Sequence, residues 1–128
     1  MAKVLGIGGV FFKSKDPAAL AAWYKDVLDL PMADWGGVFL PIEAAAAQEG
    51  AGAVFAPFKA DSEYFAPSTL DHMVNLMVDD LDGILAHAAT HGVTPDGEIM
   101  EEPNGRFAHI LDPDGRKIEL WQPKAWSE

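Results

Sequence analysis

The chain has 128 residues, 49% of them hydrophobic and 23% charged, which suits one globular domain and is too little for two ordinary ones. It has no cysteine, so disulfides, thiolate metal sites and a cysteine nucleophile are excluded. The net charge of −11 repels phosphate backbones and argues against a nucleic-acid partner. Because no apolar run approaches about 18 residues and the N-terminus lacks a signal-peptide core, we expect a cytoplasmic protein without membrane contact.

The first half begins with an apolar, strand-like run over residues 7–16. The run ends at Asp16, a residue suited to cap a helix, and Pro17 suits the first helical turn. Apolar residues then recur at helical spacing as far as Leu28, and the pattern stops at residues 29–31. Strands are predicted after the helix, near residues 35–40, 43–47 and 52–58.

The second half repeats this pattern. A shift of 63 residues places the run 7–16 on residues 70–79, which end in another capping aspartate, Asp79. Helical spacing follows from Leu81 to Ala88 and stops at residues 92–95.

Three further strands are predicted near residues 97–101, 105–111 and 116–122. The stretch from Asp112 to Gly115 predicts a hairpin turn between the last two, because Pro113 fixes φ and glycine supplies a positive φ. Each half therefore predicts a strand, a helix and about three strands.

These features resemble the vicinal oxygen chelate superfamily of glyoxalase I, bleomycin-resistance proteins and extradiol dioxygenases. The resemblance is carried by the tandem βαβββ pattern, by Trp-Tyr in the first helix, by the Val78–Leu81 strand-to-helix step, and by the closing Asp-Pro-Asp-Gly-Arg-Lys-Ile-Glu-Leu-Trp. It implies an α+β fold in which two βαβββ modules form curved sheets around a cavity. We expect a single domain with the following boundaries: domain 3–124, first module about 3–58, linker 59–69 and second module about 70–122. The aromatic residues in and beside the linker, Phe58, Tyr64 and Phe65, are expected to pack down.

The family's metal ligands lie on the first and last strand of each module. Carried onto this sequence, the resemblance assigns His72 and Glu119 in the second module, whereas the first-module counterparts are Gly9 and Ala56, which have no ligating side chain. A catalytic metal normally takes at least three protein ligands. We therefore expect an incomplete metal site, with at most a weakly bound divalent metal, and we favour the absence of a cofactor.

His72 and Glu119 are also the candidate catalytic residues. For His72 three roles stay open: a cavity-wall histidine with a hydrogen-bond partner, a polar ligand contact, or a metal ligand. Glu119 lies between Ile118 and Leu120, so if those two face the helices, alternation points Glu119 into the cavity. There it needs a partner such as His72, and desolvation is expected to raise its pKa.

Other polar and aromatic side chains are candidates for binding a ligand. Asn75 is an amide in an apolar strand and needs partners. Arg106 can clamp an anionic group, or it can form a surface ion pair with Glu98, Glu101 or Glu102. The aromatic candidates suit a pocket as well as a core. The full candidate set is Phe11, Asn75, Arg106, Phe107 and Trp121.

His87 and His91 have the i, i+4 spacing of a metalloprotease pair. Ala88 stands where the catalytic glutamate of that motif would be, so we expect both histidines to be solvated.

Three functions remain open at this stage. The first is a bleomycin-resistance-like protein that binds a small, partly aromatic molecule between the modules. The second is an enzyme, either metal-dependent (a lyase, isomerase or dioxygenase) or an acid–base catalyst using Glu119 and His72; glyoxalase I activity itself is disfavoured, because it needs all four ligands. The third is an interaction module with a vestigial cavity. The resemblance also implies a homodimer.

Overall fold

The computed structural model describes residues 1–125 and has the α+β composition that was predicted. Among these residues, no helix has the length and apolar character needed to cross a bilayer. In chain order the elements are α1 (Pro17–Leu28), α2 (Ile42–Ala46), β1 (Val74–Met77), α3 (Leu81–Ala89), β2 (Met100–Glu102), β3 (Gly105–Leu111) and β4 (Lys117–Pro123).

One four-stranded sheet is built from the second half of the chain in the order β1-β4-β3-β2. β1 runs parallel to β4, whereas β3 is antiparallel to both β4 and β2. The predicted hairpin turn between β3 and β4 is confirmed: the N–H of Gly115 donates to the carbonyl of Asp112 at 2.9 Å, and Gly115 has a φ of 79°. The second half is therefore a complete βαβββ unit.

The two faces of this sheet differ in chemistry, because side chains alternate along each strand. One face packs against α1 and α3 and forms the hydrophobic core, and Ile118 and Leu120 lie on it, fully buried, as predicted. The opposite face, which we call the open face, carries the residues of opposite parity: Asn75, Phe107, His109, Glu119 and Trp121.

Both long helices begin at an aspartate that accepts a hydrogen bond from the first turn. For α1 this is Asp16, as predicted, whose carboxylate accepts from the N–H of Ala19 at 3.1 Å. For α3 the cap is Asp80, which accepts from Gly83 at 3.1 Å, so the prediction of Asp79 is wrong by one residue.

The predicted strands of the first half are not formed among the described residues. The segments 7–16, 35–40 and 52–58 have no hydrogen-bonded partner strand, and without one a strand-like sequence makes no sheet. The segment 43–47 lies mostly in α2, because its alanine run has high helix propensity. Large apolar side chains of this half are consequently exposed: Val4, Leu5, Phe11, Phe39, Val54 and Phe55.

The helix cap supplies a direct test of this arrangement. Replacement of Asp80 by alanine removes the acceptor for the Gly83 N–H and should lower the free energy of unfolding by about 1 kcal/mol. Asp79→Ala is the matched control and should change it by less than about 0.5 kcal/mol. Urea denaturation of both variants measures the difference, and a larger loss for Asp79→Ala would contradict the assigned cap.

Candidate functional site

Three side chains on neighbouring strands form a line across the open face. The register places Asn75 of β1 and His109 of β3 on either side of Glu119 of β4. The hydroxyl of Tyr64, from the linker, reaches the same carboxylate from above the sheet. We call these four residues the polar row.

Glu119 is the centre of the polar row and is only 8% exposed. Its Oε2 accepts from the hydroxyl of Tyr64 at 2.5 Å and from Nε2 of His109 at 2.8 Å. Its Oε1 accepts from the amide nitrogen of Asn75 at 2.8 Å. A carboxylate offers about four acceptor positions, so Oε1 has room for one more donor.

These contacts decide how the carboxyl group titrates. Desolvation by burial raises the pKa of Glu119, but the hydrogen bonds from His109, Tyr64 and Asn75 together outweigh it, and the net pKa is lowered. The sequence prediction of a raised pKa is therefore wrong, because it counted burial without these donors. Burial, followed by the hydrogen bond to Glu119, raises the pKa of Tyr64 above its ordinary value.

Tyr64 is held in place by Lys117, the first residue of β4, and by its own aromatic neighbours. Nζ of Lys117 donates to the backbone carbonyls of Tyr64 at 2.7 Å and Ala66 at 3.1 Å, and lies 5.0 Å from the Tyr64 ring centre. Phe58 stacks on the Tyr64 ring at 5.8 Å between centroids and also packs against Phe65. Tyr64 thus contacts the sheet, and Phe58 packs against Tyr64 and Phe65 beside it.

The next positions along the open face are apolar. Phe107 and Trp121 lie opposite each other on β3 and β4, with ring planes 5° apart and centroids 6.0 Å apart. The indole N–H of Trp121 donates to the carbonyl of Asn104 at 3.1 Å, which fixes the ring's orientation. Met77 of β1 is paired with Trp121 and so extends the same row of side chains to the third strand. The half-buried Phe107 ring and the buried Trp121 ring therefore adjoin the polar row.

The entry to this surface is from the β1 side. Asn75 and Met77 are exposed, whereas His109 is buried under the linker. The grooves elsewhere on the molecule, of about 340 Å³ beside residues 92–96 and about 400 Å³ beside residues 4–7, are not lined by the polar row.

His72 lies in a different cluster, two residues before β1. Its Nε2 accepts from Nε of Arg116 at 3.0 Å, and the Phe12 ring stacks against it. Arg116 is 2% exposed and also pairs with Asp112 at 2.6 Å. Tyr24 of α1 donates to that same carboxylate at 2.7 Å. The cluster joins the β3–β4 turn to α1.

Two remaining candidates lie away from the polar row. Phe11 is 94% exposed on the unpaired N-terminal segment. Arg106 donates hydrogen bonds in ion pairs with Asp82 at 3.2 Å and with Glu101 at 2.8 Å, and these contacts raise its pKa. Its guanidinium is thus occupied by the surface ion pair that the sequence offered as an alternative.

Comparison with known proteins identifies the family. The model of the Glyoxalase/Bleomycin resistance protein/Dioxygenase superfamily matches residues 6–120. The chain belongs to this superfamily. No curated protein matches the chain.

Several solved structures are similar to parts of the chain. TnmS3, an antibiotic binding protein from Streptomyces sp. CB03234, is 41% identical over 40% of this chain and 41% of its own, with a TM-score of 0.37. A glyoxalase/bleomycin resistance protein from the same Streptomyces is also 41% identical, over 38% of this chain and 42% of its own, with a TM-score of 0.35. One from Catenulispora acidiphila is 23% identical over 84% of this chain and 88% of its own, with a TM-score of 0.43. The chain thus matches less than half the length of the two Streptomyces proteins.

The residues at the superfamily's metal positions do not fit a metal in this chain. The guanidinium of Arg116 occupies the Nε2 lone pair of His72 and would place a positive charge beside a cation. Three donors already hold the carboxylate of Glu119. Gly9 and Ala56 offer no ligand. Within residues 1–125 there is no group of three or more His, Asp or Glu side chains arranged to hold a metal.

The sequence interpretation missed His109 and Tyr64. It expected His72 to partner Glu119, but β1 places Asn75 beside Glu119 and leaves His72 three residues earlier, about 10 Å along a strand direction. The signal for His109 was present in the hairpin: pairing Asp112 with Arg116 puts position 109 opposite 119. Tyr64 had only its aromatic character as a signal.

The pairing of Tyr64 with Glu119 can be measured. Tyr64→Phe keeps the ring and removes the hydroxyl, so it should lower the free energy of unfolding by about 1.5–3 kcal/mol, the range for a hydrogen bond to a charged group. In a Glu119→Gln background the same change should cost less, because the charge is gone. Urea denaturation of the four proteins gives the coupling energy. Equal costs in both backgrounds would contradict the contact.

Proposed function

We propose that this protein binds a small, partly aromatic molecule on the open face, with a hydrogen-bond-donating or cationic group directed at Glu119. The observation that carries the proposal is the largely buried Glu119 carboxylate, held by three hydrogen-bond donors that lower its pKa, beside the parallel rings of Phe107 and Trp121. A donor on the ligand can reach Oε1, which accepts only from Asn75 within the described chain. Its aromatic part can lie along Met77 and the two rings. The net charge of −11 also favours cationic ligands.

Binding is favoured over acid–base catalysis by the titration of the polar row. A general acid or base works best with a pKa near the working pH. The pKa of Glu119 is lowered and that of Tyr64 is raised, so both are moved away from neutrality. Metal-dependent chemistry is disfavoured by the donor arrangement at His72 and Glu119.

We propose further that a second copy of the chain covers the open face. The first half carries strand-like apolar segments, at residues 7–16, 35–40 and 52–58, that have no partner strand among the residues that the structure describes. Phe11 and Phe55 are 94% and 87% exposed, a state that costs free energy in water. The sheet has free edges at β1 and β2 to receive such segments. Pairing between two chains gives the unpaired segments a partner strand and covers the free sheet edges. The ligand cavity then forms only in the homodimer.

The role of Glu119 in binding is tested with Glu119→Gln. This change keeps shape and hydrogen bonding but removes the charge, so affinity for cationic or donor ligands should fall by about 1–3 kcal/mol. A thermal-shift screen of aromatic amines, phenols and ketoacids identifies ligands, and titration calorimetry then compares the two proteins. Glu98→Gln removes an exposed charge and is the matched control, which should bind like the parent. Equal stabilisation of the parent and Glu119→Gln by every ligand would refute this site.

The homodimer is tested by sedimentation velocity at micromolar concentration. We expect a dimer, and we expect Phe11→Asp to shift the protein toward monomer because it places a charge in the proposed interface. Lys25→Ala, on an exposed position of α1, should leave the dimer intact. A parent protein that sediments only as a monomer would reject the dimer.

A further inference from the structure

The two histidines of α3 form an exposed pair that the open face does not use. His87 and His91 are one turn apart, and their ring centroids are 5.0 Å apart. Both residues are exposed. His87 Nε2 lies 2.8 Å from the backbone carbonyl of Asp26, near the end of α1. His91 Nδ1 lies 3.1 Å from the hydroxyl of Thr90.

These contacts fix which nitrogen of each ring carries the proton. A carbonyl can only accept, so Nε2 of His87 must be the protonated nitrogen that donates to Asp26, and Nδ1 keeps its lone pair. The hydroxyl of Thr90 donates its proton to the carbonyl of His87 at 2.6 Å, so the hydroxyl oxygen must accept from His91. Nδ1 of His91 is then the donor, as its 3.4 Å contact with the His87 carbonyl also requires. Nε2 of His91 keeps its lone pair.

The spacing of the rings matches two imidazoles bound to one metal ion. With a metal–nitrogen distance of about 2.0–2.1 Å, each ring centroid lies about 3.2 Å from the metal. Two such rings at a ligand–metal–ligand angle of about 100° have centroids about 5 Å apart, which is the separation observed. In metal sites the second ring nitrogen of a ligating histidine usually donates to a carbonyl or another acceptor, as both do here.

From these observations we propose that His87 and His91 form a binding site for a divalent transition metal on the outer surface of α3, separate from the open face. Imidazole ligands suit Zn²⁺, Ni²⁺ and Cu²⁺, and water completes the coordination because the site is exposed. The ion also links α3 to α1 through the His87–Asp26 hydrogen bond, which a bound metal strengthens.

The site is tested by titrating the full chain with ZnCl₂ in a calorimeter. We expect one Zn²⁺ per chain. Binding should be lost in both His87→Ala and His91→Ala, and the second variant leaves the contact of His87 with α1 in place. Thr90→Val removes the acceptor that orients His91 and should weaken binding about tenfold. His72→Ala should leave the binding unchanged, because His72 lies in the Arg116 cluster.

The position of the metal is measured by paramagnetic broadening of amide signals with NiCl₂. Broadening centred on residues 87–91 supports the site. The proposal is overturned if the parent binds no Zn²⁺ at millimolar concentration, if His91→Ala binds as tightly as the parent, or if the broadening centres on His72, His109 or Glu119. Circular dichroism checks that each variant is folded. If His87→Ala is unfolded, the conclusion rests on His91→Ala.

Discussion

A charged carboxylate held away from water on a sheet must be paired, because the desolvation of an ion in a protein costs several kcal/mol. Glu119 is such a group, and its three donors come from three different parts of the chain: β1, β3 and the linker. The pairing therefore ties the parallel strand, the hairpin and the linker to one point. Lys117 supports the same arrangement, since it holds the linker carbonyls above the sheet.

The two buried carboxylates of the hairpin have different roles, set by their partners. Asp112 is saturated by Arg116, by Tyr24 and by the backbone of its own turn, so it stabilises the fold. Glu119 keeps one acceptor position and lies near the exposed β1 side of the sheet. His72 belongs to the Asp112–Arg116 cluster. The two positions that the superfamily uses together are thus separated here into a structural cluster and a candidate binding site.

Both long helices and much of the second module could be predicted from the sequence, because their signals are local. The Asp16 cap, the apolar spacing of α1 and α3, and the turn ending at Gly115 each depend on a few neighbouring residues, although the cap of α3 lies at Asp80 and not at the predicted Asp79. The partner of Glu119 depends in addition on the exact register of the hairpin, since a shift of one residue would place Ala108 opposite it instead of His109. Tyr64 reaches the site from 55 residues away, and no local pattern reports such a contact.

The first half shows that a strand-like sequence pattern forms a strand only beside a partner strand. Its strand-like segments have the right alternation, but hydrogen-bonded strands form only when a second strand is present. The alanine run at 43–47 needs no partner strand to form a helix, and most of it lies in α2. The repeat of 63 residues was therefore a correct guide to the helices and to the second module, whereas the strand-like segments of the first half have no partner strand among residues 1–125.

The central claim is that Glu119 is ionised by its neighbours rather than neutralised by burial. Its pKa can be measured directly by following the side-chain carboxyl ¹³C chemical shift of glutamate-labelled protein through an acid titration, with Glu119→Gln to assign the signal. The account predicts a midpoint below the ordinary glutamate value of 4.5. A midpoint above that value would mean that burial dominates, and would contradict the charged site on which the proposed binding depends.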